Sequence, residues 1–203
     1  MTPLTFDQID AALRRKYGEK ANSFPDYYSD LLPSPSSATQ LSDVQAAVQQ
    51  LAGNGCPPAF EEVLSRWDLT NLNVAGFSFG FKGSFAGRLL SNNQWGNANS
   101  WWDDAFTERP KTWLFIAQGD PYVILLDVQS GDVLAYQAAD GANTAVKIAG
   151  DFSTCLRMLS TVQLHKADSA LEYLTVSDIK AAVGADCDDR FWTEQIDHWT
   201  QFN

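Results

Sequence analysis

The chain has 203 residues, 45% of them apolar, with 7 Trp and 12 Phe, which suits one domain with a sizeable core and argues against disorder over its whole length. Its formal charge is −11, from 14 Lys and Arg against 25 Asp and Glu, which argues against direct binding of nucleic acid or of an anionic lipid surface. No apolar run is long enough to span a bilayer.

A helix is predicted first. Thr5 can cap it, Gln8 completes a capping box, and Phe6, Ile9 and Leu13 fall near one face before Gly18 offers a stop. From Lys20 to Gln40 the chain reads as a loop holding Phe24-Pro25, Tyr27-Tyr28, Pro33 and Pro35. Its aromatics are expected to pack down while the Ser-Pro part stays mobile. A second helix is expected from Ser42, with Gln45 as capping-box partner, to about Leu51. Gly53-Asn54-Gly55 breaks it, and Pro57-Pro58 restarts the chain as a third helix, because proline's fixed φ suits a first helical turn. Phe60, Val63, Leu64 and Trp67 make the apolar stripe of that helix.

Strand signals begin at Val74. From Gly76 to Phe81 aromatics alternate with small residues, as in a strand with one packed face. Residues 91–111, SNNQWGNANSWWDDAFTERPK, read as a long excursion off the sheet, a kind of loop that is often functional. Trp113–Ala117 and Val123–Asp127 are apolar enough to be central strands buried on two faces, with Gly119-Asp120-Pro121 turning one toward the other. Ser130-Gly131 signals a hairpin and Val133–Gln137 the returning strand. Asp151 is expected to cap a helix in which Phe152, Cys155, Leu156 and Leu159 share a face. After Thr161 the chain turns acidic, and residues 167–203 hold 8 acids against 2 bases. A short helix from Ser177 to Val183 stops at Gly184; Asp186-Cys187-Asp188-Asp189 then leads into a last helix with Phe191, Trp192, Ile196 and Trp199.

The order of these pieces resembles the SUKH superfamily. A helix is followed by Asn54-Gly55-x-Pro57-Pro58-x-Phe60-x-x-x-Leu64, a Trp strand, Asp127-Val128-Gln129-Ser130-Gly131-Asp132-Val133, and Asp151-Phe152 opening a helix. The likeness covers about Leu41 to Ser160. It implies an α+β fold with a mixed, curved β-sheet packed against helices. It also implies an immunity protein that binds and neutralises a cognate toxin, often a nuclease; other members are regulators. The first 40 residues and the acidic C-terminus lie outside the shared pattern, and only Gly119-Asp120-Pro121 stands where members carry several glycines. The expected organisation is an N-terminal helix and loop extension over 1–40, and one SUKH-like domain over 41–203 that includes the acidic C-terminal helices.

Groups able to run a reaction are sparse. His165 and His198 lie 33 residues apart, and a Cys-His pairing such as Cys155 with His165 lacks a third group, with Cys155 on an apolar stripe where reactive thiols are not found. Cys56, Cys155 and Cys187 form no C-x-x-C pair and read as reduced thiols of a cytoplasmic protein. The N-terminus also lacks the basic start and apolar core of a secretory signal. The Asp186 to Asp189 run lacks the alternating ligands of a calcium loop, and Asp188 and Asp189 read as caps of the last helix. Gly76 to Gly87 lacks the Gly-Lys-Ser/Thr ending of a phosphate loop, and Lys82 and Arg88 read as sheet-edge charges.

These residues lead to the expectation of a non-enzymatic binding protein with no cofactor, no metal and no membrane contact. Its partner would be a basic toxin, expected to be a nuclease, whose active site it occludes; the alternative is a regulatory or scaffold protein of the same fold. Exposed Trp beside acid makes a good interface anchor. The candidate contact residues are therefore Trp95, Trp101, Trp102, Asp103 and Asp104 in the long loop, Asp120 in the turn, and Asp186, Asp188 and Asp189 in the C-terminal region.

Overall fold

A computed structural model gives the conformation of residues 2–80, 83–94, 100–167 and 174–201. The architecture is α+β: an antiparallel sheet, curled like half a barrel, is packed against helices.

Helix α1 (Phe6–Ser23) opens on the expected capping box: Thr5 Oγ1 accepts from the Gln8 N–H at 3.2 Å, and Gln8 Oε1 accepts from the Thr5 N–H at 2.8 Å. It does not stop at Gly18. Tyr17 and Ala21 extend the buried stripe of Phe6, Ile9 and Leu13, so packing carries the helix past that glycine. A four-residue helix, α2 (Pro25–Tyr28), follows. Phe24 and Tyr27 are exposed there at 60% and 77%, where packing down was expected; Tyr28 instead stacks on Tyr17. Strand β1 (Ser34–Pro35) pairs antiparallel with β2 (Trp67–Asp68).

Helix α3 (Gln40–Ala52) starts two residues before Ser42, with no side-chain cap. Gln40 explains the shift. Its buried amide donates to the carbonyls of Leu64 and Trp67 at 2.9 and 2.8 Å and accepts from the Leu69 N–H at 2.9 Å. It can reach them only from inside the first turn. Gln45 bonds to Glu61 rather than to a cap. Gly53 ends the helix at φ 73°, a left-handed value that suits glycine. Helix α4 (Pro58–Arg66) begins at the expected proline and buries Phe60, Val63 and Leu64.

The main sheet is a meander of β3 (Asn73–Val74), β4 (Phe77–Ser78), β5 (Trp113–Gln118), β6 (Tyr122–Asp127), β7 (Val133–Gln137) and β8 (Val146–Ala149), each paired with its chain neighbours. Every pairing is antiparallel, where a mixed sheet was expected. The β5–β6, β6–β7 and β7–β8 connections are short and contain no helix that could serve as a parallel crossover. The expected strand from Gly76 is cut to two residues, because the chain bends back onto the loop before β3. A Cβ on Gly80 would lie 2.5 Å from the Asn71 nitrogen.

Helices α5 (Phe85–Asn93), α6 (Phe152–Ala167), α7 (Val176–Val183) and α8 (Asp189–Gln201) complete the fold. Ser84 caps α5 by accepting from the Gly87 N–H, so Arg88 stands on a helix and not at a sheet edge; Lys82 lies outside the described residues. One face of the sheet (Leu114, Ile124, Leu126, Val133, Ala135) shares a core with all the long helices, α1 included. Cys155 is in that core, as its spacing predicts. A bulge between Phe115 and Ala117 turns both Ile116 and Ala117 to the same side. On the other face, Phe115, Val123, Leu125, Leu134 and Tyr136 form a second cluster, covered by Trp101, Ala105 and Phe106.

Candidate functional site

The long loop is a cover, not an excursion. Residues 100–112 fold back over the sheet's second face, held by Asn93. The Asn93 amide donates to the carbonyls of Leu89 and Phe115 at 2.9 and 3.0 Å, and its oxygen accepts from the Phe115 N–H and the Trp101 indole at 2.8 and 3.0 Å. The half-buried Arg109 guanidinium pins the far end to the carbonyls of Leu51 and Trp113. Successive turns let adjacent tryptophans both pack: Trp102 is 1% exposed, Trp101 is half-buried, and their rings meet edge-on at 5.4 Å. Trp102 is therefore closed to a partner, and Trp101 is committed to the cover. Trp95 lies outside the described residues. Asp103 and Asp104 are exposed on the cover's surface.

The C-terminal acids are mostly spent on the protein itself. Asp186 bonds to Lys147 at 3.0 Å, and Lys147 bonds to Asp132 at 2.9 Å. Asp188 caps α8 through the Phe191 N–H at 2.7 Å, as its position predicts. Asp189 pairs with Lys180 on α7. These contacts tie Asp186 to β8 and α8 to α7, while the side chains of Asp186 and Asp189 stay 68% and 70% exposed.

Asp120 has a different setting. It lines a cleft of about 240 Å³ at one end of the sheet, together with Ala75, Gly76, Phe77, Gly119, Pro121, Tyr122, Glu194, Gln195 and His198. Three elements build it. The β3–β4 turn carries Ala75 and Gly76 at φ 53° and 82°, the left-handed pair of a tight hairpin, and the Ala75 N–H is held by the buried Gln163 Oε1 at 3.0 Å. The β5–β6 turn touches it directly: a Cβ on Gly119 would lie 2.9 Å from both the Gly76 oxygen and the Phe77 ring, so only glycine allows the approach. Helix α8 closes the third side. Its buried Phe191 packs edge-on against Tyr122 at 5.0 Å, which fixes where Glu194 and His198 stand.

Glu194 is the best-placed charge. One oxygen accepts from the Tyr122 hydroxyl at 2.6 Å and from the Gln137 amide at 3.3 Å; the other accepts from the Arg190 guanidinium at 2.8 Å. Burial pushes its pKa up, but the bonds from Tyr122 and Arg190 outweigh this and hold it below its ordinary value. Burial and the Glu194 bond push Tyr122 up to about 12. The cleft thus joins an oriented carboxylate and the exposed Asp120 in one lining, and Asp140 stands on the neighbouring turn, which is tied to Pro121 through the Ala138 N–H at 3.0 Å. Such a site favours a cation and offers it aromatic walls.

Sequence reasoning placed Asp120 in a turn but missed Tyr122, Gln137 and Glu194. The available signal was Arg190, Glu194 and His198 at i, i+4 and i+8, which puts a base, an acid and a histidine along one face of α8. Elsewhere the thiols are unsuited to nucleophilic work: burial, then Glu61, pushes Cys56 up to about 12, and burial, then Asp186, pushes Cys187 up to about 11. Burial pushes Cys155 higher still. Among the described residues no three His, Cys, Asp or Glu side chains converge to hold a metal ion, and no helix is long and apolar enough to cross a membrane. No family model, curated protein or solved structure matches the chain.

Proposed function

We propose that this is a SUKH-like protein that works by stoichiometric binding, as an immunity protein against a secreted antibacterial toxin. The toxin is a basic nuclease, and the bound protein covers its active site. One observation carries the reading: an open cleft at the sheet end joins two carboxylates from distant parts of the chain, the exposed Asp120 and a Glu194 that Tyr122, Gln137 and Arg190 hold in place. An acidic surface with a preformed pocket complements the basic groove with which a nuclease holds nucleic acid. The resemblance through Pro57-Pro58, Asp127 to Val133 and Asp151-Phe152 supports the same assignment, as does the high pKa of each thiol. The protein is cytoplasmic in this reading, where such a toxin would act.

The test is co-expression with the product of the adjacent gene. Restored growth together with a one-to-one complex on gel filtration is expected. Growth that stays arrested, with the two proteins eluting apart, would sink the proposal. The regulatory or scaffold reading has one observation of its own, the exposed Phe24 and Tyr27 on the α1–α2 corner, which offer a second contact surface. Under that reading a Phe24→Ser/Tyr27→Ser variant loses its partner while Asp120→Asn keeps it.

A further inference from the structure

We infer that the sheet-end cleft receives a single arginine side chain from the partner, with its guanidinium between Asp120 and Glu194 and its stem along Phe77 and Tyr122. The inference rests on the protein-binding reading, but it can be tested on this chain alone.

The size of the cavity is the first argument. At about 240 Å³ it falls below the roughly 300–1,000 Å³ of sites that enclose a drug-sized ligand, and it suits one long side chain. Its chemistry is the second. The carboxylates stand on different elements, one on the β5–β6 turn and one on α8, and aromatic side chains line the space along with them. A planar fork with several N–H donors can address two acceptors at once and also lie against a ring; an ammonium is a point charge that does neither well. A hard divalent ion would need about six oxygen ligands, and no three acidic, histidine or cysteine side chains converge among the described residues.

The third argument is preorganisation. Glu194 is held on both oxygens before any partner arrives, by Tyr122 and Gln137 on one and Arg190 on the other. The two turns meet where Gly119 lies against Gly76, so that part of the wall is backbone. A guest therefore meets a carboxylate whose rotamer entropy is already lost, which raises the affinity gained per contact. Arg190 does not compete for the space: it bonds Glu194 without lining the cleft.

The experiment uses the full chain, labelled with nitrogen-15 and titrated with N-acetyl-arginine amide. Its neutral isostere N-acetyl-citrulline amide and N-acetyl-lysine amide are titrated in parallel. A lone side chain without the rest of its partner should bind in the millimolar range. The expected result is saturable shift changes confined to the amides of Gly76, Phe77, Gly119, Tyr122 and Glu194, with arginine several-fold tighter than lysine and citrulline inert. Asp120→Asn, at an exposed position that leaves the fold alone, should weaken arginine by roughly tenfold, and Glu194→Gln should do at least as much. Three results overturn the inference: no shifts at tens of millimolar, equal shifts with citrulline, or arginine shifts spread evenly over Asp103, Asp104 and the other surface acids. Failure here with a toxin complex still forming removes the arginine seat and leaves the immunity reading. A working arginine seat with no toxin complex does the reverse.

Discussion

Two buried amides show how far a single side chain can organise this chain. Gln40 satisfies two carbonyls and an N–H across α3, the end of α4 and the segment after β2. Gln40→Leu keeps the volume but leaves those backbone groups buried and unpaired, so it should cost about 2–4 kcal/mol, read as a lower urea midpoint at unchanged slope. Asn93 does the same between α5, β5 and Trp101. Asn93→Ala should also cost about 2–4 kcal/mol and, unlike Gln40→Leu, should shift the tryptophan emission to the red as the cover loosens from the second core. A variant as stable as the parent, with unmoved emission, would show that the cover is held by its apolar contacts alone. Neither amide was visible as a hub in the sequence. Gln and Asn read as ordinary polar residues until the more distant of their partners, 22 to 29 residues away, are known. The Thr5–Gln8 box was legible because both halves of it lie within one turn.

At the scale of elements, the legible parts are those whose partners are close in the chain. Strands β5, β6 and β7 are apolar runs joined by short turns, so pattern and turn chemistry agree. The cover and the cleft were not legible, because each depends on distant segments meeting. Tyr122 and Glu194, for example, are 72 residues apart. The attachment of α7 and α8 belongs with these, and it titrates. Hydrogen bonds from Lys147 hold Asp186 below its ordinary value of 3.8. Burial alone would raise Glu194, yet Tyr122 and Arg190 hold it below 4.5. With folded values beneath the unfolded ones, the stabilisation is complete above those ordinary values and is lost as pH falls through the folded ones. Lys147, bonded first to Asp132 and then to Asp186, is raised to about 12, so its share is complete below its ordinary 10.5 and is lost as pH rises through about 12. Stability should therefore fall at both extremes, and Lys147→Met should flatten both limbs in urea midpoints measured against pH. Limbs as steep as the parent's would mean that the Lys147 bridge contributes nothing to how α8 is held.

For the whole molecule, the question is what a charge of −11 does once much of the C-terminal acid is paired internally. Short-range pairing does not cancel the net field; it leaves the surplus on residues such as Asp103, Asp104 and Asp120. These exposed acids have separable tasks under the proposed function. Those on the cover act at a distance, so they steer a basic partner toward the surface and are screened by salt, since the Debye length shrinks from about 10 Å at 0.1 M to about 3 Å at 1 M. An acid inside the cleft acts on contact, where water is displaced and screening is weak. Stopped-flow association with the toxin should accordingly slow by about tenfold or more between low and high salt, with dissociation changing far less. Neutralising Asp103 and Asp104 together should reduce the association rate and its salt dependence while leaving dissociation nearly untouched. Asp120→Asn should do the opposite and chiefly speed dissociation. If Asp120→Asn alters only the association rate, the carboxylate is one more surface charge, and the cleft loses its place at the centre of the contact.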